Sequence, residues 1–289
     1  MQFRTLGQIY VDAYRAREWF KSVGIPTASS RIDRILNYID GLLNPTVGSN
    51  DPLGAHATPE DTFHALSDGA GFGLIASQMS KLPSHLLPRQ TLRDIIKGTL
   101  AASAENQASN DARNKFVELE LGANLSSAGF QILGFDDLRF GFEGHPYQVE
   151  CKRPSHGGTL DNNIDKAYRQ VSARLRSSSD RGIVAVAVEK VLELDSRIHP
   201  AALTHSPSAL ARCFAEEFRT KVSKYQYRWV DTRVVGVLAV IRFLTTTRDP
   251  ATIGSSYNIA LIKFTSAQPL DDSRSDRLIA LLRGKFLET

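Results

Sequence analysis

The chain has 289 residues, an apolar share of 42%, a charged share of 23% and a formal net charge of +4, the make-up of an ordinary globular protein with room for one large domain or two modest ones. No apolar run reaches the ~20 residues that a bilayer-spanning helix needs, and Met1-Gln-Phe-Arg-Thr-Leu6 lacks the basic-then-apolar pattern of a secretory signal, so a cytoplasmic location without a membrane partner is the expectation. The two cysteines, Cys151 and Cys213, sit in apolar segments, which argues against a disulfide framework, and the basic balance suits a nucleic-acid partner without requiring one.

Residues 1–110 read as a helical accessory region. Ile9, Val11, Ala13, Tyr14 and Trp19-Phe20 mark a first helix that ends by Gly24-Ile25-Pro26. Ser29 or Ser30 caps a second, whose Ile32, Ile35, Leu36, Ile39 and Leu43 recur at helical spacing, and Asn44-Pro45 ends it. The Gly, Pro, Ser and Asn of 46–57 spell a loop. Thr58-Pro59-Glu60-Asp61 combines a cap, a proline at the first helical position and acids in the first turn, which predicts a helix through Leu66. Gly69-Ala-Gly-Phe-Gly73 invites comparison with a phosphate loop, but no strand precedes it and the rest of a dinucleotide fingerprint is missing; a turn between helices is expected there. From Gln90, the pattern Leu92, Ile95, Ile96, Leu100 predicts a helix running almost to Lys115. Without zinc-ligand spacing or an internal repeat, this region is read as serving target recognition, dimerisation or bracing.

Residues 111–289 alternate helices with strands, which predicts an α/β domain with a mixed sheet. Val117, Leu121, Leu125 and Ala128 share one helix face, with Glu118 at its edge; Glu120 falls elsewhere on the wheel and is expected in solvent. Segments 131–135, 138–142 and 147–152 form a meander, turning at Glu143-Gly144-His145-Pro146. Alternate side chains of a strand share a face, so Glu150 and Lys152 point one way, Val149 and Cys151 the other. Asp161 or Asn162 caps the next helix, where Ile164, Ala167, Tyr168, Val171 and Leu175 make a packed face beside Gln170. A strand at 183–188, a mixed segment over 189–205, a helix from Ser206-Pro207, buried strands at 233–244 and 257–264 and an amphipathic helix over 271–287 complete the chain.

Acids and a lysine gathered at one end of a hairpin are costly in a core and well suited to holding a divalent cation against a phosphate. Mg²⁺ takes hard oxygen ligands, commonly one or two carboxylates with waters and substrate phosphates, and it activates water near neutral pH. Lys152 can orient or deprotonate that water or offset charge on the phosphate, and the backbone carbonyl of Cys151 offers another oxygen. Singly, each group has a plainer explanation: Asp136-Asp137 as a self-capped turn, Glu150 and Lys152 as a surface ion pair, Glu118 and Gln170 as solvated helix residues. Their succession on consecutive elements favours a site.

Asp137, about a dozen intervening residues and then Glu150-Cys151-Lys152 resemble the PD-(D/E)XK nuclease superfamily. The flanks agree. Residues 116–130 look like the family's first core helix, which often carries an acid and ends at a glycine before the first strand. Residues 163–171 look like the helix after the Glu-x-Lys strand, where many members place a Gln facing the site, and 182–188 like the next core strand. The resemblance covers about a quarter of the chain, 115–189. Phe135 rather than proline precedes the acidic pair, and the doubled acid leaves Asp136 and Asp137 both open; Asp137 is preferred because it directly precedes the strand at 138–142.

This resemblance implies a restriction-endonuclease-like mixed sheet flanked by helices, preceded by an all-helical region. It implies a Mg²⁺-dependent phosphodiesterase, with Mn²⁺ able to substitute. Asp137, Glu150 and the Cys151 carbonyl would hold the metal, Lys152 would act on water, and Glu118 and Gln170 would support the site. Among Arg139, Arg153, Arg169, Arg174, Arg176 and Arg181, the residues Arg153 and Arg169 are chosen as nucleic-acid contacts. DNA is the expected partner; RNA and a homodimer stay open, and a restriction or phage-defence endonuclease is an analogy. From other classes come a non-cleaving nucleic-acid-binding or assembly module on the same fold, and a nucleotide-binding enzyme using the 69–73 glycines.

Overall fold

The computed structural model describes residues 2–44, 58–98, 100, 107–135, 138–200, 206–248, 251–264 and 269–287. In chain order the elements are β1 (Gln2–Thr5), α1 (Leu6–Ser22), α2 (Arg31–Leu43), α3 (Pro59–Met79), α4 (Arg89–Ile95), α5 (Gln107–Ser127), β2 (Gln131–Gly134), β3 (Arg139–Phe142), β4 (His145–Lys152), α6 (Leu160–Arg174), β5 (Arg181–Ala187), β6 (Ile198–His199), α7 (Pro207–Val222), β7 (Val234–Arg248), β8 (Ala251–Lys263) and α8 (Pro269–Phe286). They build the expected α/β architecture on a mixed sheet of order β1-β8-β7-β5-β4-β3-β2, with β6 beside β7. Strands β4, β5 and β7 run parallel, and the flanking β2–β3, β3–β4, β7–β8 and β1–β8 pairs are antiparallel.

Every residue of β5 is buried, as befits a parallel strand covered on both faces. Val184, Val186, Val237, Ala239 and Ile241 pack on one side against Ile164, Ala167 and Val171 of α6 and Phe214 and Phe218 of α7. Ile183, Ala185, Leu238 and Val240 pack on the other against Leu121 and Leu125 of α5 and Leu278 and Leu282 of α8. Helices α1 to α4 add a further layer, in which Ile9, Phe20, Ile35, Phe63 and Phe72 share a core with Phe116, Leu119 and Ala123 of α5. The boundary near residue 110 expected from the sequence is therefore crossed by continuous apolar packing.

Four local expectations differ from the structure. The N-terminal region is not all helical: β1 pairs with β8, Thr5 opposite Gly254. A Cβ on Gly254 would stand 2.3 Å from Phe3 Cζ and 2.5 Å from Arg4 O, so only glycine admits β1 there. Gly69, Gly71 and Gly73 form no turn but lie within α3. A Cβ at Gly71 would meet Glu120 Oε1 at 2.5 Å and Phe116 Cζ at 2.6 Å, and one at Gly73 would meet Asp12 Cβ at 2.5 Å. These glycines let α1 and α5 approach α3, which removes the nucleotide-loop alternative. The helix from Gln90 ends at Ile95, shortly before Gly98 takes φ +98°, a left-handed geometry that a helix cannot continue. The loop expected at 46–57 lies outside the described residues.

The fourth concerns Glu120, which is buried rather than solvated, because α3 covers the outer face of α5. It joins a buried network of charge. Asp68 of α3 accepts from Arg31 of α2, from Arg113 Nη1 of α5 at 3.4 Å and from Arg242 Nη1 of β7 at 3.4 Å. Arg242 also reaches Glu120 Oε2 at 3.4 Å and Glu189 Oε1 at 2.5 Å. Burial alone would raise the Asp68 carboxyl, yet Arg31, Arg113 and Arg242 hold it below its ordinary value. At Glu120 burial dominates: against the pull of Arg242, and helped by Asp68 and Glu189, it pushes the carboxyl up to about 8.

Removing the anion shared by three buried guanidiniums in D68N is expected to cost about 3–5 kcal/mol, read as a lower urea midpoint. Between its unfolded value near 4.5 and about 8, Glu120 holds a proton in the folded chain that the unfolded chain has released. Stability from this group therefore falls as pH rises through that window. Asp195, raised by burial to about 6, acts in the same direction at the lower end. Urea melts of E120Q at about pH 6 and pH 8 should accordingly show a flatter pH dependence than the wild type over that upper part.

Candidate active site

β4 is held between β3, where Arg139 faces Gln148, and β5, where Glu150 faces Val184 and Lys152 faces Val186. Paired residues share a sheet face, so Gln148, Glu150 and Lys152 look towards α6. Val149 and Cys151 look towards α5 and α8. Glu150 is 8% exposed. Its Oε1 accepts from Lys152 Nζ at 2.5 Å and its Oε2 from Arg174 Nη1, on the last turn of α6, at 2.7 Å. Gln170 stands one turn before Arg174 and hence on the same side of α6; its Oε1 is buried with no hydrogen-bond partner among the described residues.

Glu118 reaches the same sheet end from the other side. Its Oε1 accepts from the Leu138 N–H at 2.9 Å, tying α5 to the start of β3. Asp136 and Asp137, immediately before Leu138, lie outside the described residues. The Val149 N–H donates to Leu138 O at 2.9 Å. Backbone groups two residues apart on a strand point to the same edge, so the Cys151 carbonyl points to that edge as well, one step past Leu138. The Cys151 thiol faces the packed side, where burial, helped by Glu118 and Glu150, pushes it well above its ordinary value.

The two arginines expected on nucleic acid are placed differently. The Arg153 side chain is 4% exposed and its Nε donates to Glu189 Oε1 at 3.2 Å, so it turns inward and joins the buried network instead of facing a substrate. Arg169 is exposed, and its Nε donates to Asp165 O at 3.2 Å. The arginines at the site are others. Arg174, which reaches Glu150, also lines a cleft of about 570 Å³ with Arg139, Arg176, Gln148 and Asp180. The sequence carried one usable signal for Arg174: it lies four residues after Gln170, on the same helix face.

A second cluster, Glu60, His64 and Asp195, brings its ligand atoms within 4.8 Å of one another but does not suit a metal. A ligating imidazole donates its other N–H to an acceptor, whereas His64 Nδ1 sits 2.9 Å from Arg113 Nη1, which can only donate. Nδ1 therefore accepts, and Nε2 keeps the ring proton. Burial and Arg113 also hold His64 well below its ordinary value, and Lys190 Nζ already binds Glu60 Oε1 at 2.8 Å.

Comparison with known proteins returns no match: no protein-family model fits the chain, and no curated protein or solved structure matches it.

Removing the Glu118 acceptor in E118A should destabilise the chain by about 1–3 kcal/mol and speed amide exchange at Leu138. E118Q retains an acceptor oxygen and should restore most of that protection.

Proposed function

We propose that the chain is a metal-dependent nuclease that hydrolyses phosphodiester bonds, with DNA as its substrate. The observation that carries the proposal is the nearly buried Glu150, paired with Lys152 at 2.5 Å and joined through Arg174 to an arginine-lined cleft. Two further features support it. The succession α5, β2, β3, β4, α6, β5, with β4 and β5 parallel across the helix, follows the order that the resemblance to PD-(D/E)XK nucleases implies. Glu118 lies on α5 and Gln170 on α6, which supports the roles proposed for them.

The donors suit Mg²⁺, which prefers hard oxygens. They are the Glu150 carboxylate, the Cys151 carbonyl on the β3 side of β4 and, on sequence grounds, Asp137. When bound, the ion would polarise a phosphoryl oxygen and lower the pKa of water. Lys152, held as a cation by Glu150, orients the attacking water and offsets charge building on the phosphate. The buried Gln170 oxygen accepts from the same water, and Glu118 holds the start of β3 in place. Hydrolysis joins the water oxygen to phosphorus and breaks the bond to the leaving sugar oxygen, which takes a proton.

One observation favours a second interpretation, a binding or assembly module that does not cut: both Glu150 oxygens are already paired with cations. The two are separated by incubating plasmid DNA with Mg²⁺ or Mn²⁺. The nuclease should nick or linearise it and stop in chelator. D137A, E150A and K152A should each lower the rate by about 10²–10⁴-fold while retaining a folded circular-dichroism spectrum. Cleavage that survives in all three variants would remove the assignment. DNA binding that persists in chelator, with no cutting under either metal, would establish the binding module.

A further inference from the structure

Glu150 is held by more positive charge than a metal ligand can keep. Lys152 occupies one carboxylate oxygen and Arg174 the other, and a divalent ion placed on Oε2 would meet the guanidinium at hydrogen-bond range. The two cations differ in their freedom to leave. The Lys152 side chain is 16% exposed, whereas that of Arg174 is 34% exposed and also borders the cleft with Arg139 and Arg176. Arg139 and Arg176 are exposed, and guanidiniums so placed match the oxygens of a phosphodiester backbone. Arg174 therefore pairs with Glu150 inside while bordering a cleft open to an incoming anion.

We infer that Arg174 is a gate coupling DNA binding to metal loading. In the free chain it occupies Glu150 Oε2; a DNA phosphate entering the cleft draws it outward and opens that oxygen to the ion. This rests on the nuclease proposal and adds an order of binding to it. By linkage, metal and DNA raise each other's affinity by the same factor. The free chain consequently loads metal poorly and is kept from idle chemistry, while a bound duplex completes the site.

The test measures Mn²⁺ affinity from the electron paramagnetic resonance signal of the free ion, with and without a short phosphorothioate duplex, subtracting binding by the duplex alone. Wild-type affinity should rise about tenfold with duplex, the factor that one charge-assisted hydrogen bond carries. R174A should bind Mn²⁺ about tenfold more tightly than wild type without duplex and gain little from it. R176A should leave the Mn²⁺ affinity of the free chain unchanged, bind duplex more weakly and lower the salt slope of binding by about one. E150Q should lose the site. Equal Mn²⁺ affinity in wild type and R174A, an equal gain from duplex in both, or no Mn²⁺ binding in either would overturn the inference. If cleavage depends on Glu150 but R174A without duplex binds Mn²⁺ no more tightly than wild type, the gate falls and the nuclease stands. If duplex and Mn²⁺ couple through Arg174 but nothing is cut, the gate stands and the nuclease falls.

Discussion

Arg242 is the contact on which the arrangement of layers depends. It sits within β7, on the face turned towards α3 and α5, and joins Asp68 of α3, Glu120 of α5 and Glu189 just past β5. Glu189 in turn holds Arg153, the residue after Lys152. A chain of alternating charge thus runs from the N-terminal helices, through the centre of the sheet, to the end of the strand that carries the candidate site. Such groups are expensive to bury, and a hydrophobic substitute can be as stable. What they add is definition, since each guanidinium fork donates to its carboxylates in few orientations. The helical layer is in this sense part of the site's support.

The other constraint is α6. It covers the face on which Glu150 and Lys152 lie, presents Gln170 and Arg174 one turn apart, and ends where Arg176 borders the cleft. Its position is pinned at both ends. Tyr225 and Lys224 bond Asp161 in its first turn, and Arg233 Nη1 donates to Leu175 O just past its last. Tyr168 stacks on Trp229 midway, with ring centroids 4.7 Å apart. The side chains around Glu150 therefore come from a braced helix and a paired strand, which suits a site whose geometry must be held closely.

Much of this was legible in the sequence where periodicity or capping chemistry spoke. Ser30 and Thr58 cap helices as their residue types suggest, and the alternation along β4 separates Glu150 and Lys152 from Cys151. The features that local sequence does not encode depend on what packs from far along the chain. The four residues of β1 are too few to show a period, and their partner lies some 250 residues away. Glu120 looked solvated because nothing local reveals that α3 covers it, and the glycines of α3 looked like a turn because their need for space comes from α1 and α5. Arg153 and Arg174 were indistinguishable as letters; one is turned inward by Glu189 and the other reaches Glu150.

The strand alternation that turns Glu150 towards α6 also turns the half-buried Cys151 towards the opposite, packed side. With its thiol held in the protonated form, Cys151 is a poor target for electrophiles, which attack thiolates. Cys213, exposed on α7, is the accessible thiol of the pair. A maleimide dye would consequently settle on α7, giving a spectroscopic handle on a helix remote in sequence from β4.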